Sequence, residues 1–427
     1  MSELFRKYIK KENYPVHPSN IAFKTNFKNC IYEALKRRGW RETDSEMEWD
    51  IMWSEKEWIH EVFDHVHLQP HQRVNHFRNY AELCRKDLMI KNMKRYKKNL
   101  EKEGKLEEAA EVDFFPLTYN MPGEYSLFVE EFKRNPNTVW IMKPIGKSQG
   151  KGIFLFQKLQ QVSQWKSDFR WKPDNPQAEP YIVQRYINNP LLVGGKKFDM
   201  RIYVLVTCYS PLTAYLYRTG FARFTHHRYS SNPEDICNSY IHLTNVAVQK
   251  TSENYDAQTG GKWDLRLLKL YLMSKYGQDR VSECFYKIHQ IFIKSLLAVQ
   301  KSMINDKHCF ELYGYDILID SNLKPWLLEV NAAPSMTSNT PHDFELKVGL
   351  LDDVFTIVDM ERVMQGNEEQ VGGFDLIYRQ TPFPMPANST YQTYLGTYNQ
   401  RATTLKKLAK QAAQRMAANE ATKVAAK

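Results

Sequence analysis

Two carboxylates and an amide stand at spacings that let them share one cation. Asp316 lies in Gly314-Tyr-Asp-Ile-Leu-Ile-Asp320, and Glu329 and Asn331 lie in Lys324-Pro-Trp-Leu-Leu-Glu-Val-Asn331. Ser321-Asn322 between the two segments has turn chemistry, so together they read as a two-stranded hairpin. Side chains two apart share a strand face, which puts Glu329 with Asn331 and turns Leu328 and Val330 the other way. Three hard oxygen donors at one point suit Mg²⁺ carried on the phosphates of a nucleotide. An ordinary hairpin with its polar ends in water fits the same letters.

Other groups bear on that choice. Lys143 closes the apolar run Thr138-Val-Trp-Ile-Met-Lys143, and a glycine loop containing Gln149, Gly150, Lys151 and Gly152 follows. Such a loop can bring backbone N–H groups and positive charge onto phosphates. It is not a Walker A loop, because three residues rather than four separate Gly146 from Gly150, and Gly follows Lys151. Nor is it a dinucleotide fingerprint, since Leu155 occupies the place of the third glycine, and the protein-kinase triplets are missing. Gln184-Arg185-Tyr186-Ile187 could offer backbone groups and an apolar edge to an adenine. If extended, Lys196-Lys-Phe-Asp-Met-Arg201 puts Lys197, Asp199 and Arg201 on one face. Arg223 could fork a carboxylate, and Thr244-Asn245 is a compact polar pair. Taken singly, each has a plain structural reading: a surface turn, solvated lysines, an Asp199–Arg201 ion pair, a helix cap.

The elements that must position these groups are legible in outline. Strands are predicted at 138–143, 152–156, 181–187 and 200–206, and a long helical stretch at about 264–305, interrupted at Gly277. The 427 residues divide into a basic arm at 1–20, a small α/β unit at 21–87, two central units at 88–196 and 197–360, and an extension at 361–427. In the extension the hydrophobic pattern fades. Residues 401–427 are Ala-rich, with seven Lys or Arg against Glu420. Composition is that of a globular chain, 42% hydrophobic and 25% charged. No run of about 18 apolar residues predicts a membrane span, and no apolar leader core is seen. Six scattered cysteines without a CxxC pair indicate neither zinc nor a disulfide framework, and fit a reducing, cytosolic setting. A net charge of +10 favours an acidic partner.

In their order these strings resemble the tubulin–tyrosine-ligase-like family, whose members have an ATP-grasp fold. The resemblance rests on Trp140-Ile-Met-Lys-Pro144, Ser148-Gln-Gly-Lys-Gly-Ile153, Lys197-Phe-Asp-Met-Arg201, His242-Leu-Thr-Asn245 and Trp326-Leu-Leu-Glu-Val-Asn331, and extends from about Trp49 to Ser338. A narrower likeness to a polyglutamylase branch lies in Asn189-Pro-Leu-Leu-Val-Gly-Gly195, Asp306-Lys-His-Cys-Phe310 and Val371-Gly-Gly-Phe-Asp-Leu376. It implies an α/β (α+β) protein in which ATP lies between two mixed or antiparallel sheet domains. Lys143, Gln149, Gly150, the Gln184–Ile187 segment, Lys197, Phe198, Asp199, Thr244 and Asn245 would touch the nucleotide. Asp316, Glu329 and Asn331 would hold Mg²⁺, and Arg223 and Lys262 would grip free L-glutamate.

The implied reaction is ATP-dependent addition of glutamate to γ-carboxylates in tubulin tails through an acyl phosphate, with Lys143 and Arg201 catalytic. Microtubules, the cytoskeleton and a cilium or flagellum are the implied setting, with a need for accessory subunits left open. Val246-Ala247 replace a Tyr-Ser common in the family, and Ala332 replaces a His. Initiation and elongation of chains are therefore not distinguished. A glycine ligase and a non-catalytic microtubule-binding protein are the alternatives. Arg85, Lys86, Lys91, Lys94, Arg95, Lys97 and Lys98 crowd one predicted helix, a surface for an acidic tail or simply a solvated face. The 401–427 tail reads as a second such contact, or as a tail helical only when bound.

Overall fold

The computed structural model describes residues 21–147, 149–162, 180–253 and 261–425. The predicted basic arm and Ser148 of the glycine loop lie outside these. Among the described residues three sheets and their helices form an α/β protein, and no helix is long and apolar enough to cross a membrane.

The first sheet contains β1 (Ala22–Thr25), β2 (Arg41–Glu42), β3 (Ile51–Trp53) and β4 (Arg73–Val74), all parallel, in the order β2-β1-β3-β4. Parallel neighbours need a crossover, and the Cys30–Arg37 helix supplies one. The Asn29 side chain caps it by accepting from the Ile31 N–H, and Lys36 and Arg37 sit at its negative end.

The second sheet contains β5 (Thr118–Met121), β6 (Trp140–Pro144), β7 (Phe154–Phe156) and β8 (Tyr181–Arg185), antiparallel in the order β5-β8-β6-β7. The strand period divides its side chains. Trp140, Met142, Phe156, Tyr181 and Val183 pack with Phe128 and Phe132 of the Tyr125–Arg134 helix. Ile141, Lys143 and Gln184 are thereby turned to the opposite face, where all three line a cleft.

The third sheet is the largest: β9 (Leu192–Val193), β10 (Lys196–Tyr209), β11 (Leu212–Phe224), β12 (Lys262–Asp264), β13 (Glu311–Ile319), β14 (Pro325–Asn331), β15 (Gln370–Val371), β16 (Phe374–Arg379) and β17 (Thr381–Pro382). Its main path runs β14-β13-β10-β11-β16-β15. Along β10 one face carries Phe198, Met200, Ile202, Val204 and Val206 into a core with Leu268, Phe285 and Phe292. Those three belong to the helices Leu265–Tyr276 and Gln278–Gln300, separated at Gly277, whose φ of +86° suits glycine. The other face begins with Lys197, Asp199 and Arg201. It continues with Tyr203 and Leu205, which join Leu351 and Val354 of the Pro341–Val358 helix in a second core. One strand thus serves the site with its first half and a core with its second.

The stretch after 361 holds more than its faded pattern announces. The strand β16 joins the large sheet at β11, with Phe374, Leu376 and Ile377 buried. The Arg401–Ala425 segment is a helix with Leu408 and Ala412 buried, and Arg401 binds Asp352 and Asp353.

Candidate active site

The strand register assembles a ladder of charge at one end of the large sheet. Asp316 on β13 faces Glu329 on β14 on one side and Arg201 on β10 on the other. One step along, Asp199 on β10 faces Arg223 on β11, which in turn faces Lys262 on β12. Directly opposed residues on antiparallel strands have adjacent side chains, so these cross-strand pairs meet. Arg201 donates through Nε and Nη2 to the two Asp316 oxygens at 2.5 and 3.0 Å. Arg223 donates through Nε to Asp199 at 2.9 Å, through Nη2 to the other Asp199 oxygen, and through Nη2 to Asp316 at 2.7 Å. Burial opposes the Asp316 charge, yet the two guanidiniums outweigh it and hold the carboxyl well below the usual range. The local Asp199–Arg201 pair readable from sequence gives way to these two pairings across strands.

The hairpin departs from strict alternation. A bulge between Asp316/Glu329 and Ile317/Leu327 leaves Leu328 unopposed. Leu328 therefore lines the cleft beside Glu329 instead of facing away, while Leu327 and Val330 enter the core. Asn331 sits opposite Gly314, with its amide 3.4 Å from both Glu329 Oε1 and the Gly314 carbonyl. A Cβ on Gly314 would lie 2.8 Å from Pro334 and 3.1 Å from Arg201 Cδ, so glycine leaves the arginine its room.

Across from this ladder the second sheet contributes Lys143. Its Nζ donates to Gln184 Oε1 at 2.7 Å, and Gln184 is fixed in turn by Thr118 Oγ1 at 2.8 Å. Lys197 Nζ donates to Tyr186 Oη at 3.0 Å and to the His242 carbonyl at 2.7 Å. Among the described residues, neither lysine has a carboxylate at bonding distance. Burial pushes Lys143 down to about 8 and Lys197 down to about 7. A buried ammonium held only by neutral acceptors is costly, and an anion entering the cleft would offset that cost.

The cleft between these groups is open to solvent and holds about 790 Å³ of space between its walls. Lys143, Gln149, Gly150, Gln184, Arg185, Tyr186, Ile187, Lys197, Asp199, Arg223, Thr244, Asn245, Asp316 and Glu329 all line it. Ile141, Ile153, Leu243, Leu318 and Leu328 give it apolar walls. Gly150, at φ +80°, packs against the segment that follows Thr244. A Cβ there would lie 3.0 Å from Val248 Cγ2 and 3.2 Å from Asn245 Oδ1. Phe198 is not brought in: it is buried on the other face of β10 against Phe224. Lys262 stands one ladder step from Arg223 but is bound to Asp343 at 2.8 Å, and Asp343 also holds Lys347 at 3.2 Å.

One cleft residue was misassigned by sequence. Lys86, counted with the basic helix Lys86–Lys102, is buried in the cleft wall, 3.7 Å from Glu329 and 3.3 Å from the Lys147 carbonyl. Its place at the first turn of that helix, ahead of the exposed Lys91, Arg95 and Lys98, was the available signal.

Among the described residues, no three His, Cys, Asp or Glu side chains come together as a metal group. The donor set nonetheless fits a hard cation. Asp316 accepts three N–H bonds of the roughly four an ionised carboxylate can take, Glu329 is 28% exposed with only long contacts to Lys86 and Asn331, and Asn331 has an amide oxygen.

A sequence profile described as the tubulin-tyrosine ligase family matches residues 64–369. This chain belongs to that family. Among its relatives in the family, the probable tubulin polyglutamylase TTLL9 of Bos taurus is 47% identical over 91% of this chain and 92% of its own length. The probable tubulin polyglutamylase ttll-9 of Caenorhabditis elegans is 48% identical, covering 84% and 85%. The probable alpha-tubulin polyglutamylase Ttll1 of Tetrahymena thermophila is 46% identical, covering 84% and 92%. Family membership makes the chain an ATP-using ligase.

Proposed function

We propose that this chain is a tubulin polyglutamylase: an ATP-dependent ligase that joins the amine of free L-glutamate to γ-carboxylates in tubulin C-terminal tails. The observation that carries the reading is the cleft itself, where two buried lysines, without carboxylate partners among the described residues, face Asp316 and Glu329. Its support from kinship is the relatives named polyglutamylases at 46–48% identity.

In this reading the acceptor carboxylate attacks the γ-phosphorus of ATP, ADP leaves, and an acyl phosphate forms. The glutamate amine then displaces phosphate, giving an isopeptide bond. Lys143 and Lys197 bind the phosphates, with Gln149 and Gly150 over them, and hold positive charge where it builds up in transfer. Gln184 to Ile187 take the adenine, with Thr244 and Asn245 alongside. Asp316, Glu329 and Asn331 would hold Mg²⁺, which supplies charge neutralisation on the transferring phosphoryl group. Arg201 holds Asp316 in place and stands beside the acyl phosphate. Arg223 offers Nη1, unused by Asp199 and Asp316, to the glutamate side chain, with Lys262 one ladder step away. Glycine has no such carboxylate, which favours glutamate as the donor.

The exposed Lys91, Arg95 and Lys98 are the surface for the acidic tail. The setting that follows is the microtubule cytoskeleton, at the axoneme or basal body of a cilium or flagellum, with accessory subunits as further partners. The test is mass spectrometry of tubulin tails after incubation with the protein, Mg-ATP and each amino acid. Mass increments of glutamate on tail peptides are expected, and increments of glycine alone would overturn the reading.

A further inference from the structure

The sequence HLTN contributes more than its threonine and asparagine. His242 ends the short helix Ser239–His242 and is buried between Tyr186 and Tyr229, with ring centroids at 5.5 and 5.8 Å. Its Nε2 lies 3.1 Å from the Asp235 carbonyl, which can only accept, so Nε2 carries the proton. In the neutral ring Nδ1 is then an acceptor, and it lies 3.0 Å from Tyr186 Oη. The tyrosine hydroxyl also neighbours Tyr229, whose own hydrogen goes to the Asn188 carbonyl; with donation to Nδ1 it turns a lone pair toward Lys197 Nζ at 3.0 Å. The His242 carbonyl takes a second Lys197 N–H at 2.7 Å. We propose that His242 is a positioning residue: the chain from the Asp235 carbonyl through His242 and Tyr186 fixes the direction of donation, so that Lys197 stays an ammonium and keeps its third N–H for a phosphate oxygen.

The polarity matters because burial favours a neutral amine at Lys197. A tyrosine hydroxyl free to turn would donate to that amine and stabilise it further. With Nδ1 as a committed acceptor, the hydroxyl hydrogen is occupied and the lysine must donate. Protonation of His242 ends that acceptor role, since Nδ1 becomes a donor and the Tyr186 hydrogen must turn to Tyr229 or toward Lys197. Burial and the neighbouring Lys197 both hold His242 below its ordinary range, so the working polarity persists at neutral pH. The charged or titratable groups around the chain are Tyr229, Asp235, Lys143 and Asp199.

The proposal rests on the cleft binding ATP, so wild-type protein is first titrated with Mg-ATP by calorimetry. Failure there removes the proposed function itself, before His242 is in question. Given binding, Tyr186→Phe and His242→Ala are expected to weaken ATP by roughly tenfold, the scale of one charge-assisted hydrogen bond. His242→Asn places an amide oxygen near the Nδ1 position and does not titrate. It is expected to retain ATP affinity near wild type and to lose the acid limb that wild-type affinity shows as His242 protonates. Three results would overturn the proposal: Tyr186→Phe binding ATP as wild type does, His242→Asn as weak as His242→Ala, or an acid limb as large in His242→Asn as in wild type. If His242→Ala does not fold, Tyr186→Phe and His242→Asn decide between the outcomes.

Discussion

Asp316 and Glu329 are proposed ligands of one ion, yet their surroundings predict opposite costs of neutralising them. The Asp316 side chain is 3% exposed and accepts three N–H bonds from two buried guanidiniums. Asp316→Asn removes the charge and leaves Arg201 without its carboxylate and Arg223 with Asp199 alone. Removing one partner of a buried pair costs roughly 3–5 kcal/mol. The Glu329 side chain is 28% exposed, and its ion-pair partner Lys86 stands 3.7 Å away. An ion pair that long and that solvated contributes at most about 1 kcal/mol, so Glu329→Gln should melt within a degree or two of wild type. Both changes remove a metal oxygen, and both should lower glutamate ligation by roughly 10²–10³, the scale of losing one preorganised charge stabiliser. Urea unfolding without nucleotide measures the first difference. Mass spectrometry of tubulin tails measures the second. A Glu329→Gln protein as unstable as Asp316→Asn would make Glu329 a structural residue. A stable Glu329→Gln protein with full ligation would falsify the metal assignment.

The remaining predictions concern the lysines and the C-terminal helix. Lys143→Met removes an ammonium held, among the described residues, by Gln184 alone, so the ligand-free protein should be as stable as wild type or more so, while calorimetry shows ATP weakened at least about tenfold. Lys143 and Lys197 lie at about 8 and about 7, below the ordinary 10.5, so between those values and 10.5 the unfolded chain binds more protons than the folded one. Ligand-free stability should therefore rise with pH from about 7 towards 10.5, while ATP affinity, which needs the ammonium forms, falls over the same interval; melting curves with and without Mg-ATP check both. Arg401→Ala leaves buried Asp353 without its guanidinium and should cost about 3 kcal/mol in urea unfolding, with Mg-ATP affinity retained because the helix lies outside the cleft.

How much of this was legible follows from the range over which each signal acts. The faces of β6, β8 and β10 depend only on a two-residue period, so Lys197, Asp199 and Arg201 were placed on one face from sequence, and the same rule accounts for Lys143 and Gln184 facing the cleft. The same period, applied to Phe198, excludes it from the cleft, where family resemblance alone had put it. Partnership depends on register between strands far apart in the chain. Arg223 meets Asp199 across 24 residues and Arg201 meets Asp316 across 115, which no local pattern encodes. The bulge that turns Leu328 inward is a one-residue irregularity with no letter of its own. Lys86 was hidden for another reason: its neighbours are lysines and arginines, and only packing separates the one in the cleft from those in water. β16 was missed because it is only six residues long, within a polar stretch, and owes its burial to β11 beside it.

The charges of the site also explain why the ligand-free protein is built under strain of its own making. On the sheet floor two guanidiniums nearly balance three carboxylates, Asp199, Asp316 and Glu329. Lys86, Lys143 and Lys197 come from other elements or from the end of β10 and tip the cleft to net positive. Among the described residues only Lys86 of these three has a carboxylate partner, and that one is distant. A net positive cleft of this kind suits Mg-ATP, which is net negative, better than it suits water, because the lysines lack carboxylates the nucleotide can replace with phosphates. Nucleotide binding therefore releases a cost already present in the folded chain, and the stabilisation expected from linkage adds to that release. The two lysines with the most depressed values are those held by neutral acceptors, Gln184, Tyr186 and the His242 carbonyl. Replacing those acceptors by carboxylates, as in Gln184→Glu, should raise ligand-free stability and lower ATP affinity together, since an internal anion would then occupy the place of the phosphate. A Gln184→Glu protein that gained stability without losing ATP would show that the lysines are not waiting for one.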